Sequence, residues 1–189
     1  MEKWTIALFC FLFSLNQLEA REVAGIKLDE KITIAAMPLQ LNGAGIRTKF
    51  IFDIYVGALY LKDQARTTDA ALKSSSNNRL RMVFLYDQVE KQKLVNGWND
   101  GFENNLSKTE LTTLKSKITD FNHLFDTVNK GDTIDLDYIK GKGTHVYYNS
   151  KLRGVIEGKA FNAALLKIWL GEEPADDDLK QAMLGQSVD

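Results

Sequence analysis

The chain has 189 residues, with 24 basic and 25 acidic side chains, 44% hydrophobic residues and a single cysteine. That length suffices for one domain with a sizeable core. The charge balance gives no electrostatic footprint for nucleic acid or an anionic membrane surface, and one thiol excludes a disulfide framework or a cysteine-ligated metal.

The first twenty residues read as a secretory signal. Lys3 precedes the apolar run TIALFCFLFSL, and Leu18-Glu19-Ala20 ends on a small residue, so cleavage is expected after Ala20. The run is too short to span a bilayer comfortably. No stable membrane anchor is therefore expected after cleavage, and the product is placed in the periplasm or outside the cell. Loss of Glu2, Lys3 and Glu19 leaves 23 basic and 23 acidic residues, and Cys10 departs with the signal. The exported domain, residues 21–189, must then hold together by core packing alone.

No internal repeat or linker divides that domain. Its first part is strand-like: Val23–Leu28, Ile32–Leu41 and the long run Lys49–Leu61, rich in β-branched and aromatic residues. Between the last two, Asn42–Gly45 reads as a glycine-rich turn just ahead of Arg47. A short polar helix follows from Thr68 and ends in the Ser74–Asn78 cluster, which is turn chemistry. Leu80, Met82 and Phe84 then alternate with Arg79 and Arg81, as in a strand leaving solvent for the core.

The middle is helical. Leu94, Trp98 and Phe102 recur every four residues, with Val95 and Leu106 widening the stripe, and Leu114, Ile118, Phe121 and Phe125 form a second. Strands return as the meander Thr133–Tyr138, Thr144–Tyr148 and Leu152–Ile156, joined by Gly141–Gly143 and Asn149–Lys151. Alternation sends Asp135 and Asp137 to one face of that meander, read as a wet one. A helix over Ala160–Leu170 stops at Gly171, and a last one begins after Pro174 with Asp176 as its cap. Strands, helices, strands, helix is the order of an α+β fold, an antiparallel sheet with helices on one face.

Chemical motifs are sparse. Gly141-Lys142-Gly143-Thr144 lacks phosphate-loop spacing and reads as a hairpin. His123 and His145 have no metal-ligand spacing, and no GxSxG elbow is present. No metal or cofactor is called for. Trp98, Phe102 and Trp169 read as core. Asn96 lies one turn off the apolar stripe, facing either solvent or a cleft. Arg47 is the strongest candidate, because a guanidinium at the mouth of an apolar run requires an anionic or hydrogen-bonding partner. Either the protein supplies it, with Asp53 the nearest carboxylate in sequence, or a ligand with a carboxylate, phenolate or enolate does.

Four segments together resemble the chalcone isomerase-like family: Asn42–Lys62, Leu94–Phe102, Phe121–Tyr138 and Gly154–Lys180. They span nearly the whole exported domain in the expected order, as for an exported bacterial member. The resemblance implies an open-faced β-sandwich, a large antiparallel sheet backed by helices, with a ligand cleft between them. Isomerases of the family close a hydroxychalcone into a flavanone without a cofactor, an arginine and a polar network holding the developing charge. Related members bind fatty acids, with arginine and tyrosine gripping the carboxylate.

Carried onto this chain, the arginine falls on Arg47. The isomerase threonine falls on Tyr55, where fatty-acid-binding members also carry tyrosine. The ketone-polarising tyrosine falls near Val89, its partner asparagine near Asn96, and the late threonine or serine near Ile168. The resemblance thus implies a non-catalytic binder of a small apolar carboxylate such as a fatty acid, held by Arg47, Tyr55 and Asn96, with the helical stripes lining an apolar tunnel. The alternative is a cofactor-free isomerase or intramolecular lyase acting on an unsaturated carbonyl compound, with Arg47 holding the enolate and Asn96 assisting. A third reading is a structural or partner-binding module with a filled core. Oligomeric state is left open. One geometric condition applies: a straight strand would hold Arg47 and Tyr55 about 26 Å apart, so they converge only if the chain bends or reverses around Phe50–Asp53.

Overall fold

In the computed structural model, residues 20–74 and 76–186 are described; the signal reading falls almost entirely outside them. The N-terminal part is a series of hairpins: β1 (Ala20–Val23), β2 (Ile26–Asp29), β3 (Lys31–Ile34), β4 (Met37–Lys49) and β5 (Phe52–Leu61). Each of the three runs expected as single strands contains a reversal. The turns are Ala24-Gly25, Ala35-Ala36 and Phe50-Ile51, with left-handed φ of 49° and 77°, 48° and 61°, and 59° at Phe50. Only Gly25 is a residue that adopts such angles freely. The pairing of long strands on either side fixes the other turns against local preference.

A short helix α1 (Thr68–Lys73) leads to β6 (Asn78–Phe84) and β7 (Gln88–Val89). Then come α2 (Lys91–Asn105), α3 (Lys108–Asn122) and β8 (Val128–Asn129), followed by the meander β9 (Thr133–Ile139), β10 (Gly143–Tyr148) and β11 (Lys151–Ile156). Helices α4 (Lys159–Leu170) and α5 (Asp177–Met183) close the chain, and the Asp176 carboxylate caps α5 by accepting from Leu179 N at 2.8 Å.

Seven strands form one antiparallel sheet in the order β11-β10-β9-β6-β5-β4-β3. Helices back one face, where Leu80, Met82, Phe84, Ile134 and Leu136 meet the α2, α3 and α4 stripes in one core cluster. Phe102, Phe121, Phe161 and Trp169 are almost wholly buried there. The expected α+β architecture is the one observed. The opposite face carries a smaller cluster, Leu28, Ile34, Leu39, Leu41, Val56, Ala58 and Tyr60, in which Leu28 of the β1–β2 hairpin takes part.

Asp135 and Asp137 lie on this second face and are not wet, being 5% and 3% exposed. Arg81 grips Asp135 at 2.7 and 2.8 Å, and Arg79 grips Asp137 through two bonds of 2.6 Å. The neighbouring strand β6 brings these arginines into register, Arg79 opposite Asp137 and Arg81 opposite Asp135. Two-toothed pairing of this kind lets the carboxylates leave water.

Candidate functional site

The β4–β5 register places Arg47 directly opposite Tyr55. The reversal at Phe50-Ile51 meets the geometric condition, and side chains opposite one another across antiparallel strands share a face. The Arg47 guanidinium carbon lies 5.8 Å from the centre of the Tyr55 ring. The Asn42–Gly45 segment is not a turn: it continues β4, with an irregularity in register between Leu41 and Gly43. Its glycines serve close approach. A Cβ on Gly45 would stand 2.6 Å from Ala182 Cβ, and one on Gly57 of β5 would stand 2.6 Å from Met183 Cε. Helix α5 therefore lies flat on β4 and β5, and its cap Asp176 also accepts from the Thr48 backbone N–H at 3.0 Å.

Arg47 has no ion pair among the described residues, and its Nε is buried with no hydrogen-bond partner. Asp53, the internal partner considered from sequence, accepts instead from Thr48 Oγ1 at 3.1 Å. Tyr55 is buried, packs edge-to-face on Phe84 at 5.6 Å, and its hydroxyl accepts from Trp169 Nε1 at 2.7 Å. Burial pushes the Tyr55 pKa up; Arg47 and the Trp169 bond pull it down, and Asp176 raises it. The hydroxyl therefore stays protonated and keeps its hydrogen to donate.

Trp98 adds a further donor. Its ring lies 5.6 Å from that of Trp169, and its Nε1 is buried with no partner. Arg47 Nε and Trp98 Nε1 are thus buried donors without acceptors, and Tyr55 keeps a hydroxyl hydrogen. Arg47 Nε and the Tyr55 hydroxyl, opposite each other, are donors suited to an anion.

Asn96 does not join this group. It is exposed on α2, with its Oδ1 accepting from Gln92 Nε2 at 2.8 Å. It stands two positions from buried Leu94 and two from buried Trp98, and at 100° per residue that turns it to the far side of the helix. Val89 and Ile168 occupy the other two polar positions implied by the resemblance. Val89 is half-buried in β7, and Ile168 is buried on α4 against Gly101, where a Cβ would stand 2.7 Å from Ile168 Cγ2. Neither offers a hydroxyl.

The expected tunnel between sheet and helices is filled. Phe121 and Phe125 stand 4.7 Å apart, Phe121 and Phe161 5.4 Å, and Trp98 and Phe125 5.5 Å. Cavities of about 450 and 420 Å3 lie elsewhere, one against Arg79, Arg81, Asp135 and Asp137, the other by Thr68, Asn105, Lys167 and Lys180. Sequence reasoning missed Trp169 and Asp176 beside Arg47 and Tyr55, and the unpartnered indole of Trp98 next to Trp169. The two tryptophans were read as core, which they are, and the indole N–H groups carried no local signal.

Comparison with known proteins agrees with this geometry at the level of fold. No curated sequence gives a significant match. A fatty-acid binding protein from Arabidopsis thaliana superposes with a TM-score of 0.70 at 18% identity, over 88% of this chain and 96% of that one. The sequence profile described as chalcone isomerase-like matches residues 20–185. That span holds all the described strands and helices, and the chain belongs to the chalcone isomerase-like family.

Proposed function

We propose that the protein binds a small apolar carboxylate, a fatty acid foremost, without turning it over. The observation that carries this is Arg47, whose buried Nε lacks a partner while Tyr55, opposite, holds a protonated hydroxyl. A carboxylate would accept from the guanidinium in a two-toothed pair and from the tyrosine hydroxyl. Half-buried Ile54, Val89 and Val95, at the edge of the helix-side core, supply apolar surface for a tail. The similar fold of a plant fatty-acid binding protein supports the same ligand class. The apolar residues at Val89 and Ile168 weigh against enone cyclisation.

The test is a thermal-shift series with saturated and unsaturated fatty acids, beside mass spectrometry of extractable lipid. A ligand at a hundred times its Kd stabilises by about 2.7 kcal/mol, which raises the melting temperature by roughly 5–10 °C for a domain of this size. Arg47→Ala is expected to abolish that rise while leaving the unliganded melt in place. No extractable ligand together with no acid-dependent rise overturns the reading.

The packed helix-side core favours a second reading, a structural or partner-binding module, and that same double negative would establish it. We further propose that the binder is exported to the periplasm or beyond, a reading supported by the signal-like residues 1–20. Fractionation with N-terminal sequencing checks this, the expected mature protein beginning at Arg21.

A further inference from the structure

The β4–β5 turn ends in an apolar knob that the core does not use. Phe50 and Ile51 are 90% and 85% exposed, Phe52 is 48% exposed and Tyr86 38%. The Phe52 and Tyr86 rings meet edge-to-face at 5.5 Å, and Phe52 directly follows the Phe50-Ile51 apex in the chain. Phe50 holds a left-handed φ of 59°, a conformation that disfavours bulky side chains and that glycine or asparagine adopts with little strain. The turn thus carries a ring in water at a position better suited to a small residue. Isolated exposed hydrophobics are ordinary, whereas a contiguous group on a projecting turn marks an interaction site.

We propose that this tip docks into the interfacial layer of a lipid bilayer. Its size argues against a protein partner: with Phe52 and Tyr86 each at most about half exposed, and an aromatic offering about 150–250 Å2 in full, the knob falls short of the roughly 800 Å2 per side that a stable interface buries. A convex two-residue apex instead suits shallow insertion. Exposed Lys49, paired with Phe52 at the end of the hairpin, can lay its stem along the knob and keep its ammonium among headgroups. The balanced charge of the chain makes the attraction apolar, so zwitterionic lipid suffices and salt has little effect.

Arg47, near the end of β4, precedes the turn residue Phe50 by three positions, at most about 10 Å at the usual strand rise. A docked tip would thus hold Arg47 at headgroup depth, where a membrane-borne acid presents its carboxylate. This last consequence rests on the binder reading; docking itself does not.

The measurement is flotation with acid-free phosphatidylcholine vesicles, using the chain from Ala20 onward, which carries all the described strands and helices. The protein is expected to float with vesicles at low and high salt alike. Phe50→Ser with Ile51→Ser should lower the partition coefficient at least about tenfold. Leu152→Ser with Val155→Ser, exposed apolar residues on β11, should leave it unchanged. All of these side chains are exposed, and circular dichroism verifies that each variant folds. Phe50→Trp should give emission that shifts to the blue when vesicles are added. Absence of flotation, or equal losses from the two double variants, overturns the proposal. So does a dimer that the tip variant dissociates in place of vesicle binding. Arg47→Ala is expected to keep flotation, which separates a failure of docking from a failure of acid binding.

Discussion

Arg79 and Arg81 on β6 and Arg47 on β4 are all strand arginines drawn partly out of water, yet only the β6 pair is answered from within the protein. On the face away from the helices, two arginines and two aspartates interlock: Arg79 with Asp137 at 2.6 Å, Arg81 with Asp135 at 2.7 Å, and Arg79 again with Asp135 at 3.7 Å. Four formal charges cancel, and each guanidinium is engaged by two bonds to one carboxylate. At the Phe50-Ile51 end of the sheet, Arg47 faces the Tyr55 ring, and its buried Nε meets no acceptor. A guanidinium that is already paired contributes to structure. One left with a buried free donor is where a ligand would complete the hydrogen bonding. This is why the Arg79–Arg81 cavity, though measurable, is the weaker functional candidate.

The contrast is most exposed to test by removing one member of each group. Asp137→Ala leaves Arg79 half-buried beside a single, more distant carboxylate, and breaking a largely buried pair from one side costs about 3 kcal/mol. Arg47→Ala removes a charge that makes no ion pair among the described residues, and stability is expected to stay within about 1 kcal/mol of the parent. Urea denaturation of both variants makes the comparison. Equal losses would mean that Arg47 is as structural as Arg79.

The next effect in size concerns the acceptor beside Arg47. Tyr55→Phe keeps the ring packed on Phe84 but strands the indole N–H of Trp169, which now donates to the hydroxyl at 2.7 Å. A buried donor left unpaired costs about 1–3 kcal/mol. Trp169→Phe added to Tyr55→Phe removes the stranded donor, so the double variant should lose less than the sum of the single ones. Strict additivity in denaturation would show that the bond does not couple the two side chains.

What could be read from sequence divides along the same physical lines. Helical stripes such as Leu94-Trp98-Phe102 repeat over several turns, so α2, α3 and α4 were legible, as were the meander and the Asp176 cap. The hairpins at Ala35-Ala36 and Phe50-Ile51 were not. Neither carries glycine, asparagine or proline, and their angles are imposed by pairing between long strands. Gly43 and Gly45 were misread as a turn because a glycine required for close helix approach looks the same in sequence as one required for a left-handed angle; neither has positive φ. Alternation correctly put Asp135 and Asp137 on one face but was silent on the arginines that let that face be buried, 54 and 58 residues away in the chain. In the candidate site, Arg47 and Tyr55 were legible, whereas the Trp169 donor, 114 residues from Tyr55, had no local signature.

The smallest effect at neutral pH comes from the second buried tyrosine of β5, on the opposite face from Tyr55. The Tyr60 hydroxyl is buried with no hydrogen-bond partner, so Tyr60→Phe is expected to be neutral or stabilising by up to about 1 kcal/mol, opposite in sign to Tyr55→Phe. Alkaline pH separates the two further. Burial pushes the Tyr60 pKa up to about 12, against the pull of Arg81, while an unfolded tyrosine ionises near 10. Above pH 10 the unfolded chain releases a proton that the folded chain retains, so stability falls as pH rises toward 12. The contribution of Tyr60 is complete below pH 10 and disappears through that interval. Tyr55 and Tyr148 are raised as well and continue to titrate, so Tyr60→Phe should make the decline shallower without abolishing it. Stability of parent and variant measured from pH 8 to 12 decides the matter. Parallel curves would mean that the Tyr60 hydroxyl is reached by water, and that the outer face of β5 is less closed than the paired arginines beside it imply.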